Sequence, residues 1–228
     1  MLLRLLRRAL LKGRKLGRRW CLLGRIRGEA WLQGAEVELD LHPSVELGQG
    51  LRIEILPGSR TRLQIGRHSK LGDGVRLRLR GGEISLGESV DVRATAVLNV
   101  GGGSLRLDGF NNLAWGVVIH CAESVHLKRF AHVAEYSTLV DSSHFYSAPE
   151  EWSYHNVRTR PIVLEEDVWV CPKSTIASGV TIGDHTIVAA NSCVTKSMPR
   201  ASLVSGVPAQ VVRAIELPWE GAKADDRG

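Results

Sequence analysis

Near the end of the chain six aliphatic residues stand six positions apart: Leu164, Val170, Ile176, Ile182, Val188 and Val194. A period of six is neither the 3.6 of a helix nor the 2.0 of a half-buried strand. It suits a coil with three short flat sides, each supplying one inward aliphatic residue and then a turn. Three sixes make one coil, and successive coils stack through parallel strand pairing. The same period runs through Ile65, Leu71, Leu77; Leu86, Val92, Leu98; Leu107, Leu113, Ile119; and Leu127, Val133, Leu139. Spare residues between blocks fall in turn-like stretches such as 80–83 and 101–104. A single coil cannot bury its own apolar side, so many are needed and the ends need caps. The pattern therefore predicts a parallel β-helix over about residues 45–213. The alternative is a β-sandwich with regular turns, and six consecutive anchors in phase argue against it.

Composition agrees with a thin core. The 228 residues are 43% hydrophobic, which excludes wholesale disorder, but hold only three Phe, three Tyr and two Met. Aliphatic stacks turned at corners by the 24 glycines use such a chain better than a thick aromatic core. The net charge of +6 is unevenly placed. Residues 1–28 carry ten Lys/Arg and no Asp/Glu, leaving 20 basic and 24 acidic residues, net −4, in the rest. A nucleic-acid-binding body is therefore disfavoured.

The sequence divides into a basic N-terminal arm over 1–28, a β-helix domain over 29–215 and a tail over 216–228. In the arm, Leu2, Leu5, Leu6, Ala9, Leu10, Leu16 and Trp20 share one helical face, with basic residues opposite. Such an amphipathic helix suits an anionic membrane surface, contacted through residues 1–20. Docking on its own domain or a partner, or a frayed tail, are the other readings. No stretch approaches 18 consecutive apolar residues, and the opening residues, interrupted by Arg4, Arg7 and Arg8, are not expected to act as a secretory leader. Cys21, Cys121, Cys171 and Cys193 form no CxxC, so reduced thiols in a cytoplasmic protein are expected.

Several motifs carry a resemblance: Asp167-Val168-Trp169-Val170, Gly179-Val180-Thr181-Ile182-Gly183-Asp184, Val194-Thr195-Lys196 and Gly206-Val207-Pro208-Ala209. Residues 164–213 resemble the C-terminal half of hexapeptide-repeat acyltransferases, of the galactoside/maltose O-acetyltransferase type. The resemblance implies a left-handed parallel β-helix, an all-β fold here with an N-terminal amphipathic helix. It implies a homotrimer with active sites between neighbouring subunits, and acetyl-CoA as acyl donor. It also implies acyl transfer to a hydroxyl of a sugar or glycan precursor.

Acyl transfer needs a base for the acceptor proton and a donor for the tetrahedral oxyanion. His144 is the candidate base, because it ends an anchor run and precedes an irregular segment, 145–160, that closes at Pro161. The resembling enzymes share that layout, although Phe145 stands where they place a Pro. Asp141, Glu135, Glu150, Glu151 or a backbone carbonyl are the candidates to orient it. The resemblance carries Ala190, Thr195, Lys196 and Arg213 over as acyl-CoA contacts; Trp169 is the candidate to wall the cofactor slot, with the acceptor slot or a cap on the core as its other readings. Cys171-Pro172 and Gln210 depart from the expected small and basic residues. For the acceptor, Asp141, Trp115, Tyr146 and Arg158 are the candidates, since aromatics stack on sugar rings and Arg binds anionic groups. The Asn and Asp that sugar acetyltransferases use fall near Ala114-Trp115 and Cys121-Ala122, with Asn111 and Asn112 close but out of step, which argues against a simple galactoside or maltose acceptor. No metal is expected: His120, His126 and His132 are six apart, and a step of six changes face. A non-catalytic β-helix scaffold is the opposing reading, and a metal-dependent protein like the γ-class carbonic anhydrases the third.

Overall fold

The computed structural model describes Gly17 and residues 20–145 and 156–221. The chain winds through seven three-sided coils, over 36–55, 60–79, 82–100, 104–121, 124–140, 162–176 and 181–194. Each coil gives one strand to each of three parallel sheets, here A, B and C in chain order. The fold is the left-handed parallel β-helix that the six-residue period and the resemblance imply.

The sequence period maps onto this geometry without a slip. Ile65, Leu86, Leu107, Leu127, Leu164 and Ile182 stack in register on sheet A. Leu71, Val92, Leu113, Val133, Val170 and Val188 do so on sheet B. Leu77, Leu98, Ile119, Leu139, Ile176 and Val194 complete sheet C. All eighteen are buried in one continuous core. Among the described residues that core holds no Phe, Tyr or Trp.

Corners between sheets need residues in the left-handed backbone region, and glycine supplies only some of them. Phe110, Phe130 and His185 take positive φ between sheets A and B, and Thr95, Tyr136 and Asn191 do so between B and C. Gly82 has no substitute: a Cβ there would stand 2.1 Å from the carbonyl oxygen of Gly103 in the next coil.

Both ends are capped. A helix over 20–32 lies across the first coil. It buries Ile26 and Ala30 in the core, and Arg25 donates to the carbonyl of Leu51 at 3.0 Å. Trp20, Trp31 and Leu32 of this helix stay exposed. Positions 1–16 of the expected amphipathic face lie outside the described residues. At the other end, strands Ser202–Gly206 and Ala209–Ala214 form an antiparallel hairpin that closes sheet B. No helix among the described residues is long and apolar enough to cross a membrane.

Candidate active site

The stack is uninterrupted from the fifth coil to the sixth, yet the chain leaves it between residues 140 and 162. Strands Ser142–His144 and Val157–Thr159 pair antiparallel and stand off the corner between sheets C and A. Arg160 donates its N–H to the carbonyl of Asp141 at 2.8 Å, which draws the two ends of the excursion together. His144 is exposed at the outer end of this hairpin, opposite Val157. Arg158 lies opposite Ser143 and sets its guanidinium 4.9 Å from the Phe145 ring centroid. Tyr146, Glu150 and Glu151 fall outside the described residues.

Asp141 is not where a substrate could meet it. It occupies an inward position, fully buried, one coil after Cys121. Its carboxylate accepts from the backbone N–H groups of Ala122, Glu123 and Ser124 at 2.7–3.0 Å. Those three bonds offset the cost of a buried charge and fix the preceding corner. The geometry assigns it to the scaffold, correcting the sequence expectation of an acceptor contact. Nor does its carboxylate point along the hairpin to orient His144. Glu135 sits at the opposite corner of the same coil, between sheets B and C.

The other expected residues divide between two places. Ala190, Thr195, Lys196 and Arg213 are exposed on the last coil and its closing hairpin. Lys196 and Arg213 form no ion pair among the described residues, and the Arg213 guanidinium donates to the neighbouring Ala214 carbonyl at 3.1 Å. Two exposed cations without carboxylate partners fit the phosphates of an acyl-CoA.

Trp169 belongs to sheet B, half exposed, beside a cavity of about 390 Å³ also lined by Arg93, Asn112, Ala114, His132 and Glu135. Trp115 sits at the adjoining corner with the Arg93 guanidinium 4.9 Å from its ring centroid. Arg93, Asn112 and His132 were not among the residues expected from sequence. The signal for two of them was available: each precedes a sheet B anchor, as Trp169 does. Listing the residue before each anchor yields the outward column Lys70, Asp91, Asn112, His132, Trp169 and Ile187.

The three evenly spaced histidines diverge. His120 stands on sheet C, His126 on sheet A and His132 on sheet B. His120 shares a hydrogen bond with Asn99 at 3.1 Å, and His126 one with Asp108 at 3.0 Å. One coil after His126 its column holds Val163. Among the described residues no three metal-ligating side chains converge.

Residues 161–196 match the family model described as bacterial transferase hexapeptide (six repeats). The chain is a hexapeptide-repeat β-helix. Its repeat is similar to that of the Mycobacterium tuberculosis protein named "Probable acetyltransferase Rv3034c", at 24% identity over 180 residues, 79% of this chain and 53% of that one. It is also similar to the galactoside O-acetyltransferase of Escherichia coli, at 42% identity over 55 residues, 24% of this chain and 27% of that one. The chain thus spans about half the length of the first relative and about a quarter of the second. Among solved structures, AntD, an N-acyltransferase from Bacillus cereus in complex with dTDP and 3-hydroxybutyryl-CoA, shares the β-helix. The TM-score is 0.55 at 17% identity, over 83% of this chain and 87% of that one.

Proposed function

We propose that this hexapeptide-repeat protein is a CoA-dependent acyltransferase that moves an acetyl or other short acyl group to a hydroxyl of a sugar or glycan precursor. The observation that carries the reading is the hairpin at residues 142–159, which lifts His144 out of an otherwise unbroken stack. A scaffold alone has no need of that excursion. The relatives named as acetyltransferases support the same reaction class.

In this mechanism Arg213 helps hold the donor's phosphates, Thr195 and Lys196 lie near its adenine and phosphate end, and the Ala190 backbone borders its pantetheine arm. The acceptor hydroxyl attacks the thioester carbonyl carbon while His144 takes its proton, forming the C–O bond. The tetrahedral oxyanion collapses, the C–S bond breaks, and the leaving thiolate takes the proton back from His144. Within one subunit His144 leaves the corner of sheets C and A, whereas Trp169 lies on sheet B. That separation supports a homotrimer in which one copy's hairpin faces the neighbour's sheet B.

Thiol release from acetyl-CoA with an acceptor panel, with mass-spectrometric detection of product, tests the reading. Turnover that is lost in His144→Ala, with CoA-dependent thermal stabilisation kept, supports it. A wild type that binds neither CoA nor acceptor is a scaffold, and undiminished turnover in His144→Ala removes His144 as base.

The exposed Trp20, Trp31 and Leu32 of the capping helix, beside an arm with no acidic residue, favour a second property. We propose peripheral contact with an anionic membrane surface through the N-terminal arm.

A further inference from the structure

Charge on the first two coils follows a rule with one exception. Glu36 and Glu38 stand in register with Arg60 and Arg62 on sheet A, and Glu46 with Lys70 on sheet B. On sheet C Glu54 stands in register with Arg78, and their side chains pair at 2.7 Å. Each of these columns sets an acid of the first coil against a base of the second. The other charged column of sheet C sets Arg52 against Arg76. Outward neighbours on adjacent strands stand roughly 5 Å apart, so like charges there repel. The third coil brings no relief, because the next member of that column is Val97.

Arg80 adds another cation where the second coil turns from sheet C toward sheet A. Arg52, Arg76 and Arg80 are exposed and form no ion pair among the described residues. On these two coils the sheet C face thus sets four arginines against the carboxylate of Glu54, whereas sheet A sets Glu36, Glu38 and Asp40 against two. Farther along sheet C the outward residues Asn99, Val118 and Val140 carry no charge, so the basic face is confined to the capped end. It adjoins the capping helix. Arg25 is bound to the carbonyl of Leu51, immediately before Arg52. At the other end of that strand the Gly58 N–H donates to the carbonyl of Gln33, just past the helix, at 3.0 Å. That bond sets the exposed Trp31 and Leu32 at the same end of the strand as the exposed Leu56.

Stacked arginines bordered by exposed Trp and Leu suit a partner that offers phosphates above an apolar layer, which is a bilayer of anionic phospholipid. A nucleic-acid duplex offers the phosphates without that layer. We propose that the outward face of sheet C on the first two coils docks on an anionic phospholipid bilayer. Arg52, Arg76 and Arg80 meet the lipid phosphates, and Trp31, Leu32 and Leu56 reach the acyl boundary. Stable attachment to a membrane surface takes two signals, and this face supplies one on the folded body beside the one on the arm. The edge where the capped end meets sheet C then rests on the membrane. The two-part anchor rests on the membrane reading of the arm; docking by the sheet C face does not.

The test is co-sedimentation of the full chain, at low salt, with vesicles of phosphatidylcholine and phosphatidylserine in a three-to-one ratio. Three full-length variants each remove the same charge, after circular dichroism and melting confirm that all are folded. Arg52→Gln/Arg76→Gln/Arg80→Gln alters the sheet C face, and Arg4→Gln/Arg7→Gln/Arg8→Gln alters the arm. Arg60→Gln/Arg62→Gln/Arg106→Gln alters sheet A, where each arginine is already paired with a carboxylate. Wild type sediments with these vesicles and not with phosphatidylcholine alone. The sheet C substitutions lower its partition coefficient by about tenfold or more, and the sheet A substitutions by less than about threefold. Equal loss in those two variants assigns the effect to net charge and overturns the proposal, as does undiminished partitioning of the sheet C variant. Displacement from the vesicles by a short DNA duplex at equal phosphate concentration overturns it in favour of nucleic acid. The two membrane readings fail separately. Loss in the arm variant alone removes the sheet C face and keeps the arm, whereas loss in the sheet C variant alone removes the arm and keeps the face.

Discussion

Single residues in this fold are judged by which way the coil points them. Asp141 and His144 are three apart, yet one is sealed in the core and the other exposed on a hairpin. Asp141→Ala would orphan three backbone N–H groups and should destabilise by about 3 kcal/mol or more, measured by urea unfolding. His144→Ala should leave the unfolding curve almost unchanged while reducing acyl transfer by about 10²–10⁴-fold. His132 gives a pH signature. Burial holds its folded pKa below the unfolded value, so in that window the unfolded chain binds more protons than the native one. Stability is then full above about pH 6.5 and declines as pH falls through the folded pKa. Urea midpoints between pH 7.5 and 5 should show that decline, and His132→Phe should flatten it. Cys121 shows the same logic in a thiol: burial, reinforced by the charge of Asp141, pushes it up to about 12. An aromatic disulfide reagent should label Cys21, which is exposed, rapidly and Cys121 only on unfolding.

At the scale of elements, the repeat was legible because one physical demand recurs in every coil. Each of the eighteen anchors named from spacing is buried, and each triplet places one residue on each sheet. The corners were less legible, since Phe110, Thr95 and Tyr136 adopt backbone conformations that composition would assign to glycine. There the stacked neighbours supply hydrogen bonds that outweigh the local strain. Tyr136, for example, donates its N–H to the carbonyl of Trp115 at 2.9 Å. The point at which the chain leaves the stack was legible too, because the period breaks after His144. The sheet B cleft was legible only as a column of residues preceding the anchors: its members lie 20 to 37 positions apart and meet only through register. Gly82→Ala should destabilise by more than about 1 kcal/mol, since its Cβ would meet backbone of the next coil and its φ is +82°. Leu98→Ala, which leaves a hole in the continuous core, should cost about 2–5 kcal/mol.

The whole molecule behaves as a one-dimensional stack in which each coil is stabilised mainly by its neighbours. The ends then matter more than their size suggests. Ile26→Glu should unseat the capping helix and expose the first coil, visible as earlier melting and as self-association in light scattering. Deletion of residues 1–19, which spares the capping helix over 20–32, removes eight positive charges. Wild type should therefore sediment with vesicles containing anionic lipid more fully than the truncated protein, and raised salt should weaken the difference. Equal partitioning of both forms removes the arm's membrane contact.

The excursion at residues 142–159 begins and ends at nearly the same point, because Arg160 is tied to Asp141 while Leu127 pairs with Leu164 beneath it. A segment anchored in that way can lengthen, shorten or change composition at small entropic cost, with no shift in the register of any later coil. Descendants of such a chain can exchange the peptide between those two anchors wholesale, and so try new chemistry without renegotiating the architecture that bears it.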